Sequence, residues 1–189
     1  MITKPADMVL TVAPEICLRP VTVADAAPLF TIINSQRAYL REWLPFVDLT
    51  HEQNDTTLYL QSIASSTTDK VFVILVEEAV SGLIGFKSIE YFNRKLEIGY
   101  WLSEHQQHKG VMRRSCARLV QHAFEEMMMN RVQLKVAIGN HKSSNIPKKL
   151  GFTLEGIERE GELLNNRFQD LEVYSLLKKE WLAQQQNSL

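Results

Sequence analysis

The stretch QHKGVM, residues 107 to 112, puts one glycine and no apolar residue before Val111 at the mouth of a run with helical periodicity. The first turn of a helix has unpaired backbone N–H groups and the positive end of the helix dipole, so such a mouth can hold a phosphate or pyrophosphate. Gly110 suits that task because it has no side chain to block close approach and tolerates positive φ. Gln107, His108, Lys109, Arg113 and Arg114 add donors or positive charge to the same corner. A single glycine before a helix is also an ordinary turn residue, so the stretch needs a second feature beside it.

That feature is AIGNHKSSNIPKKLGF, 137 to 152, which sets Asn140 and Ser143 just past the next strand. Short polar side chains there can serve a ligand, and Ser143 or Ser144 can equally cap the following helix. Pro147 suits the first turn of that helix, where a missing N–H costs nothing. An acidic residue, Glu97, lies inside the apolar run LEIGYWL, where a strand would normally have no use for it except on a solvated face.

Elements must bring these groups together. ICLRPV (16–21) alternates as a strand, and Thr22 with Asp25 opens a helix carrying Ala26, Leu29, Phe30 and Ile33 on one face. A helical stretch at 36–44 runs to Pro45, and Thr50 with Gln53 forms a capping box for a third helix through Leu60 and Ile63. VFVILVE (71–77), GLIGFKSIEYF (82–92) and KLEIGYWLS (95–103) read as an antiparallel meander. Met112, Cys116, Leu119, Val120, Ala123, Phe124 and Met127 keep three-four spacing, and RVQLKVAI (131–138) is again a strand. A short helix near 144–150 ends at Gly151, and FTLEGIERE and DLEVYSLLKK close the chain as strands around LLNNRFQD. The strand, helix, strand run at 95–138 is long enough for a parallel crossover. An α+β fold follows, with a mixed sheet of about seven strands and helices on both faces. Both polar turns then lie outside the carboxyl ends of neighbouring parallel strands, where open sheets bind ligands.

Composition narrows the function. The 189 residues, 45% of them hydrophobic, fit one domain over 1–189, and a formal charge of −1 argues against a nucleic-acid binder. The apolar runs fall far short of a membrane span, and MITKPADMVL lacks a signal-peptide pattern. Cys17 and Cys116 form no disulfide framework, so a cytoplasmic location is expected. His105, His122 and His141 share no ligand spacing, which argues against a metal. No G-x-S-x-G nucleophile setting is present, which favours direct attack over a covalent intermediate.

Q-H-K-G-V-M resembles the Q/R-x-x-G-x-G/A signature of the GNAT N-acetyltransferases, and N-H-K-S-S-N-I-P-K-K-L-G-F resembles their N-x-x-S…K-L-G-F segment. EIGYWLSEHQQHKGVM and CLRPVTVADAAPLF are similar to the RimL-type branch, which acetylates N-terminal amines of ribosomal proteins. Met112 departs from the signature's small last residue, and His108 stands where many members have glycine. The resemblance implies a sheet splayed between its central parallel strands, with acetyl-CoA as co-substrate in the split. Backbone groups of Tyr100, Trp101 and Leu102 would pair with the pantetheine arm. Gln107, His108, Lys109, Gly110, Val111 and Met112 would hold the pyrophosphate, and Asn140 and Ser143 would meet the sulfur end.

Acetyl transfer needs a neutral amine. An α-amine with a pKa of about 8 is roughly a tenth neutral at pH 7, whereas lysine near ~10.4 is almost wholly charged. Glu97 is the first candidate for the base, and Glu162, acidic like the matching position of the branch, is the rival. Ser143 is the best-placed hydroxyl for the departing thiolate, with Tyr174 as an alternative acid, and the Leu102 N–H could serve the oxyanion. The acceptor is expected to be a protein N-terminus, with a polyamine or aminoglycoside as the alternative. A non-catalytic CoA-binding sensor is the reading of another class, and edge strands allow a homodimer.

Overall fold

The computed structural model describes residues 8–186, so most of the N-terminal segment read above for a signal peptide lies outside the described residues. The chain runs β1 Leu10–Ala13, β2 Ile16–Pro20, α1 Ala26–Ser35, α2 Arg37–Leu40, α3 Gln53–Ala64, β3 Lys70–Val76, β4 Ala79–Glu90 and β5 Lys95–Leu102. It continues with α4 Val111–Glu125, β6 Arg131–Ala137, α5 His141–Lys149, β7 Thr153–Leu164, β8 Arg167–Leu177 and α6 Lys178–Gln186. The eight strands form one sheet in the order β1-β2-β3-β4-β5-β6-β8-β7, in which only β5 and β6 run parallel. Helices cover both faces, as the mixed pattern predicts.

Alternation along the central strands decides what each face buries. Phe72, Ile74, Ile84, Phe86, Leu96 and Ile98 pack with Cys116, Leu119 and Phe124 of α4 on one face. Val73, Leu83 and Trp101 point the other way, against Leu29 and Ile33 of α1 and Leu60 of α3. Burying each large apolar side chain contributes roughly 1.5–3 kcal/mol. One glycine pair interrupts this packing: β4 and β5 set Gly85 opposite Gly99, and a Cβ on Gly85 would lie 2.7 Å from the Lys70 carbonyl oxygen of β3.

Several local expectations shift. Asp25 does close the first helix start: it accepts from Thr22 N–H at 2.7 Å and pairs with Arg19 at 2.6 Å. The third helix is capped by Asp55, which accepts from the N–H groups of His51 and Glu52 at 2.8 and 3.0 Å, while Thr50 donates instead to the Phe46 carbonyl. The 36–44 helix reduces to the single turn of α2, because Pro45 pushes Leu44 into an extended conformation before a 3₁₀ turn over Pro45–Leu49. β1 and α6 have no counterpart in the sequence reading, which ran DLEVYSLLKK on as strand. α6 starts where Glu180 accepts from the Leu177 N–H at 3.0 Å, and its Trp181 packs on Phe124 with ring centroids 5.6 Å apart and the planes tilted by 44°. The β7–β8 hairpin turns through Asn165 and Asn166, both at positive φ as a two-residue hairpin requires.

Candidate active site

The parallel ladder between β5 and β6 has three rungs, Lys95–Arg131, Leu96–Val132 and Glu97–Gln133. Past Glu97, residues 98–102 stay paired with β4, and residues 134–137 stay paired with β8. Among the described residues the two stretches form no further rungs with each other, so each turns a row of backbone donors and acceptors into a wedge-shaped gap. An extended polar chain can satisfy those groups as a strand would.

Two cavities meet at this gap. One, of about 930 Å³, is lined by Tyr100–Leu102, the 106–113 turn and the 139–146 turn. The other, of about 800 Å³, lies over the opposite side and is lined by Phe46, Tyr59, Lys87, Glu97, Glu162 and Leu171 among others. Trp43, Leu44, Tyr100, Trp101, Asn140 and Ser143 belong to both walls. A ligand from each side could thus touch the other only there.

The first cavity ends at the mouth of α4. Gly110 has φ +72, in the left-handed region, and a Cβ there would find nothing nearer than Arg114 Nε at 3.9 Å, so the backbone angle rather than crowding within the protein calls for glycine. His108 also has positive φ, at +61, and Val111 and Met112 are buried beneath the turn. Gln107 is not a free donor: its Nε2 donates to the Tyr39 hydroxyl, and its Oε1 accepts from Lys142 Nζ at 3.0 Å. Arg114 stays at this corner, donating to the Lys109 carbonyl at 3.3 Å, but its charge is paired with Glu15 at 2.7 Å. Lys109, Arg113, Lys142 and Lys149 are the cations that line the cavity. Lys142 went unnoticed in the sequence because its helix begins three residues earlier than expected, and Lys149 because its reach into the cavity depends on how α5 packs.

That earlier start follows from Asn140, whose Oδ1 accepts from the Ser143 N–H at 3.1 Å, so Asn140 is the cap and Ser143 and Ser144 lie inside α5. Pro147 consequently sits mid-helix rather than in the first turn. Ser143 Oγ donates to the Tyr100 hydroxyl at 3.2 Å, and that hydroxyl donates to the Ser143 carbonyl at 3.3 Å. Burial pushes the Tyr100 phenol far up, which keeps it protonated. Sequence reasoning credited Tyr100 with its backbone alone. Tyr174 lies outside both walls and donates to Glu172 at 2.9 Å.

In the second cavity Glu97 occupies the last rung of the parallel ladder, its side chain 13% exposed. Lys87 stands directly opposite on β4 and pairs with it at 2.8 Å, while Gln133 Nε2 donates to its other oxygen at 3.4 Å. The lysine stem runs over Gly99, where a Cβ would come within 3.4 Å of Lys87 Cε. Glu162 reaches the same cavity from β7, beyond an irregularity between Glu158 and Glu162 that re-aims the strand. Burial raises the Glu162 carboxyl, Lys87 lowers it and Glu97 raises it again, with the net shift upward. Glu97, Glu162 and Lys87 therefore cluster at the end of the split, in a cavity that Asp55, Asp69 and Lys135 also line. Lys87 was missed because its role depends on strand register.

The geometry agrees with known proteins. The acetyltransferase (GNAT) domain family matches residues 15–153. A putative ribosomal N-acetyltransferase of Bacillus subtilis (strain 168), YdaF, is 32% identical over 174 residues, covering 88% of this chain and 93% of that protein. The ribosomal-protein-serine acetyltransferase of Escherichia coli (strain K12) is 27% identical over 169 residues, covering 88% and 94%. Among solved structures, RimL, a ribosomal L7/L12 α-N-protein acetyltransferase in complex with coenzyme A, superposes with a TM-score of 0.87 at 24% identity over 92% of this chain and 99% of that one, a likeness of fold. The splayed sheet, the glycine at the mouth of α4 and these relatives lead to one conclusion: the chain belongs to the GNAT acetyltransferase family and is an N-acetyltransferase.

Proposed function

We propose that residues 1–189 act as one domain that transfers acetyl from acetyl-CoA to the α-amine of a protein N-terminus, that of a ribosomal protein in keeping with the names of its relatives. The observation that carries this reading is the meeting of two cavities at a gap bounded by Tyr100, Trp101, Asn140 and Ser143. Acetyl-CoA enters from the α4 side, with its pyrophosphate at residues 107–112 and its pantetheine arm along Tyr100–Leu102. The amine enters from the Glu162 side. Direct attack follows, because the reacting atoms meet where both walls coincide.

Charge favours one amine over a polyamine. Of the carboxylates on the acceptor side, Asp55 caps α3, Asp69 accepts from the Ser88 N–H at 3.0 Å, and Glu97 is held by Lys87. Among the described residues, Glu162 is the one of these four not committed to a cap, a hydrogen bond or an ion pair, and Phe46, Leu49 and Trp101 supply apolar wall. A polyamine needs several negative sites along its length, whereas a peptide needs one at its amine.

Glu162 serves as the base in this account, in place of Glu97. A base works best when its pKa approaches the operating pH, and the Glu162 carboxyl is moved that way by burial. Ser143 donates to the departing thiolate. The neighbours of Glu162 provide the test. Lys87→Met removes the charge that lowers Glu162, so the acid limb of kcat/KM should move to higher pH. Glu97→Gln removes the charge that raises it and leaves Lys87 in place, so the limb should move to lower pH. Shifts of opposite sign in the pH profiles are expected; identical profiles would remove Glu162 from the role of base.

A further inference from the structure

Pro147 is out of place in an otherwise regular helix. Proline has no N–H to give the carbonyl four residues back, which in α5 is that of Ser143. Tyr100 reaches across from β5 and donates its hydroxyl to that carbonyl at 3.3 Å. The same phenolic oxygen accepts from Ser143 Oγ at 3.2 Å. Two hydroxyls and one carbonyl thus close on each other in the wall shared by the two cavities.

We propose that Pro147 is a positioning residue for acetyl transfer: by withholding its N–H, it leaves the Ser143 carbonyl as the resting acceptor for Tyr100, which holds the two hydroxyls as a donor pair facing the thioester sulfur. The inference rests on the reading of Ser143 as donor to the thiolate. As the sulfur gains negative charge, the Ser143 O–H turns from Tyr100 to the sulfur. The Tyr100 O–H then turns from the carbonyl to Ser143 Oγ, which lies at nearly the same distance. Hydrogen bonds are exchanged, and Tyr100 keeps its proton. An alanine at 147 would give the Ser143 carbonyl the ordinary helical N–H, which competes with Tyr100 for that oxygen and weakens its hold on the phenol.

Replacing a proline inside a helix normally helps the helix, so stability and activity should move in different directions. Pro147→Ala is expected to keep or raise the Tm and to leave KM for acetyl-CoA unchanged. Its kcat should fall about five- to tenfold, the worth of one neutral hydrogen bond. Tyr100→Phe should lose a similar factor, and the double variant should be no slower than Tyr100→Phe alone. Ser143→Ala, run beside them, tests the underlying reading and should lose more. If Ser143→Ala keeps full kcat, the reading of Ser143 as donor falls, and the inference with it. If Ser143→Ala is slow while Pro147→Ala is not, or if the losses of Pro147→Ala and Tyr100→Phe multiply, the role of Pro147 is overturned and the reading of Ser143 stands.

Discussion

Glu162→Gln is expected to lower kcat/KM at pH 7 by about 100-fold, the usual worth of a positioned general base, or about 2.7 kcal/mol of transition-state stabilisation. The loss comes from the proton that the amine must shed as it attacks. The glutamine keeps nearly the same volume and leaves the strand pairing of 162 with Gln169 untouched, so the Tm should change little. The sign with pH follows from the raised Glu162 carboxyl. In the parent enzyme the rate should fall as pH drops through that raised value, because a carboxylate acting as base would become protonated. In the variant this limb disappears, and the deficit narrows as pH rises past ~8, where an α-amine increasingly loses its own proton. Initial rates of thiol release from pH 5.5 to 9.5 measure both effects, and a variant that keeps the parent's acid limb would assign that limb to another group.

Gly82→Ala should be the most damaging small substitution for stability. Gly82 pairs with Leu102 on one side and Ile74 on the other, so it sits between β3 and the free edge of the split. A Cβ there would lie 2.3 Å from the Trp101 carbonyl oxygen and 2.9 Å from Leu102 Cα. Both obstacles are backbone, which no change of rotamer relieves. The cost is about 3 kcal/mol, the upper end for overpacking a filled interior. For a chain of this length that is a fall in Tm of roughly 6–12 °C. The same displacement would move Trp101 and Leu102, whose backbone lines the first cavity, so acetyl-CoA binding should weaken together with stability. Thermal unfolding followed by circular dichroism decides it, and a change in Tm of under about 2 °C would mean that β5 gives way far more easily than a paired strand should.

What could be read from the sequence depended on whether the information was local. The short, near-continuous apolar runs at 71–76 and 82–89, bounded by turns, and the three-four spacing from Met112 to Phe124 are properties of neighbouring residues, and they mark sheet and helix on their own. The QHKG turn is local too, since the positive φ of Gly110 is a matter of one residue. Features that depend on register or on distant partners did not show. Lys87 meets Glu97 only once β4 and β5 are aligned, and Tyr100 meets Ser143 only after the crossover brings α5 beside β5. β1 escaped notice because four residues carry too little pattern, and α6 because KKEWLAQQQ has one buried anchor, Trp181. Pro147 was misplaced for a different reason. Its helix starts at an asparagine cap, and a proline preference for the first turn pulled the expected start three residues too late.

The central claim is that this acetyltransferase has one amine site, built for a single α-amine. The direct measurement is thiol release from acetyl-CoA with three acceptors at equal concentration: a short peptide with a free N-terminus, the same peptide with a blocked N-terminus and an internal lysine, and spermidine. Turnover on the first, at least tenfold above the other two, is the expected result. Faster turnover on spermidine or on the internal lysine would contradict the account.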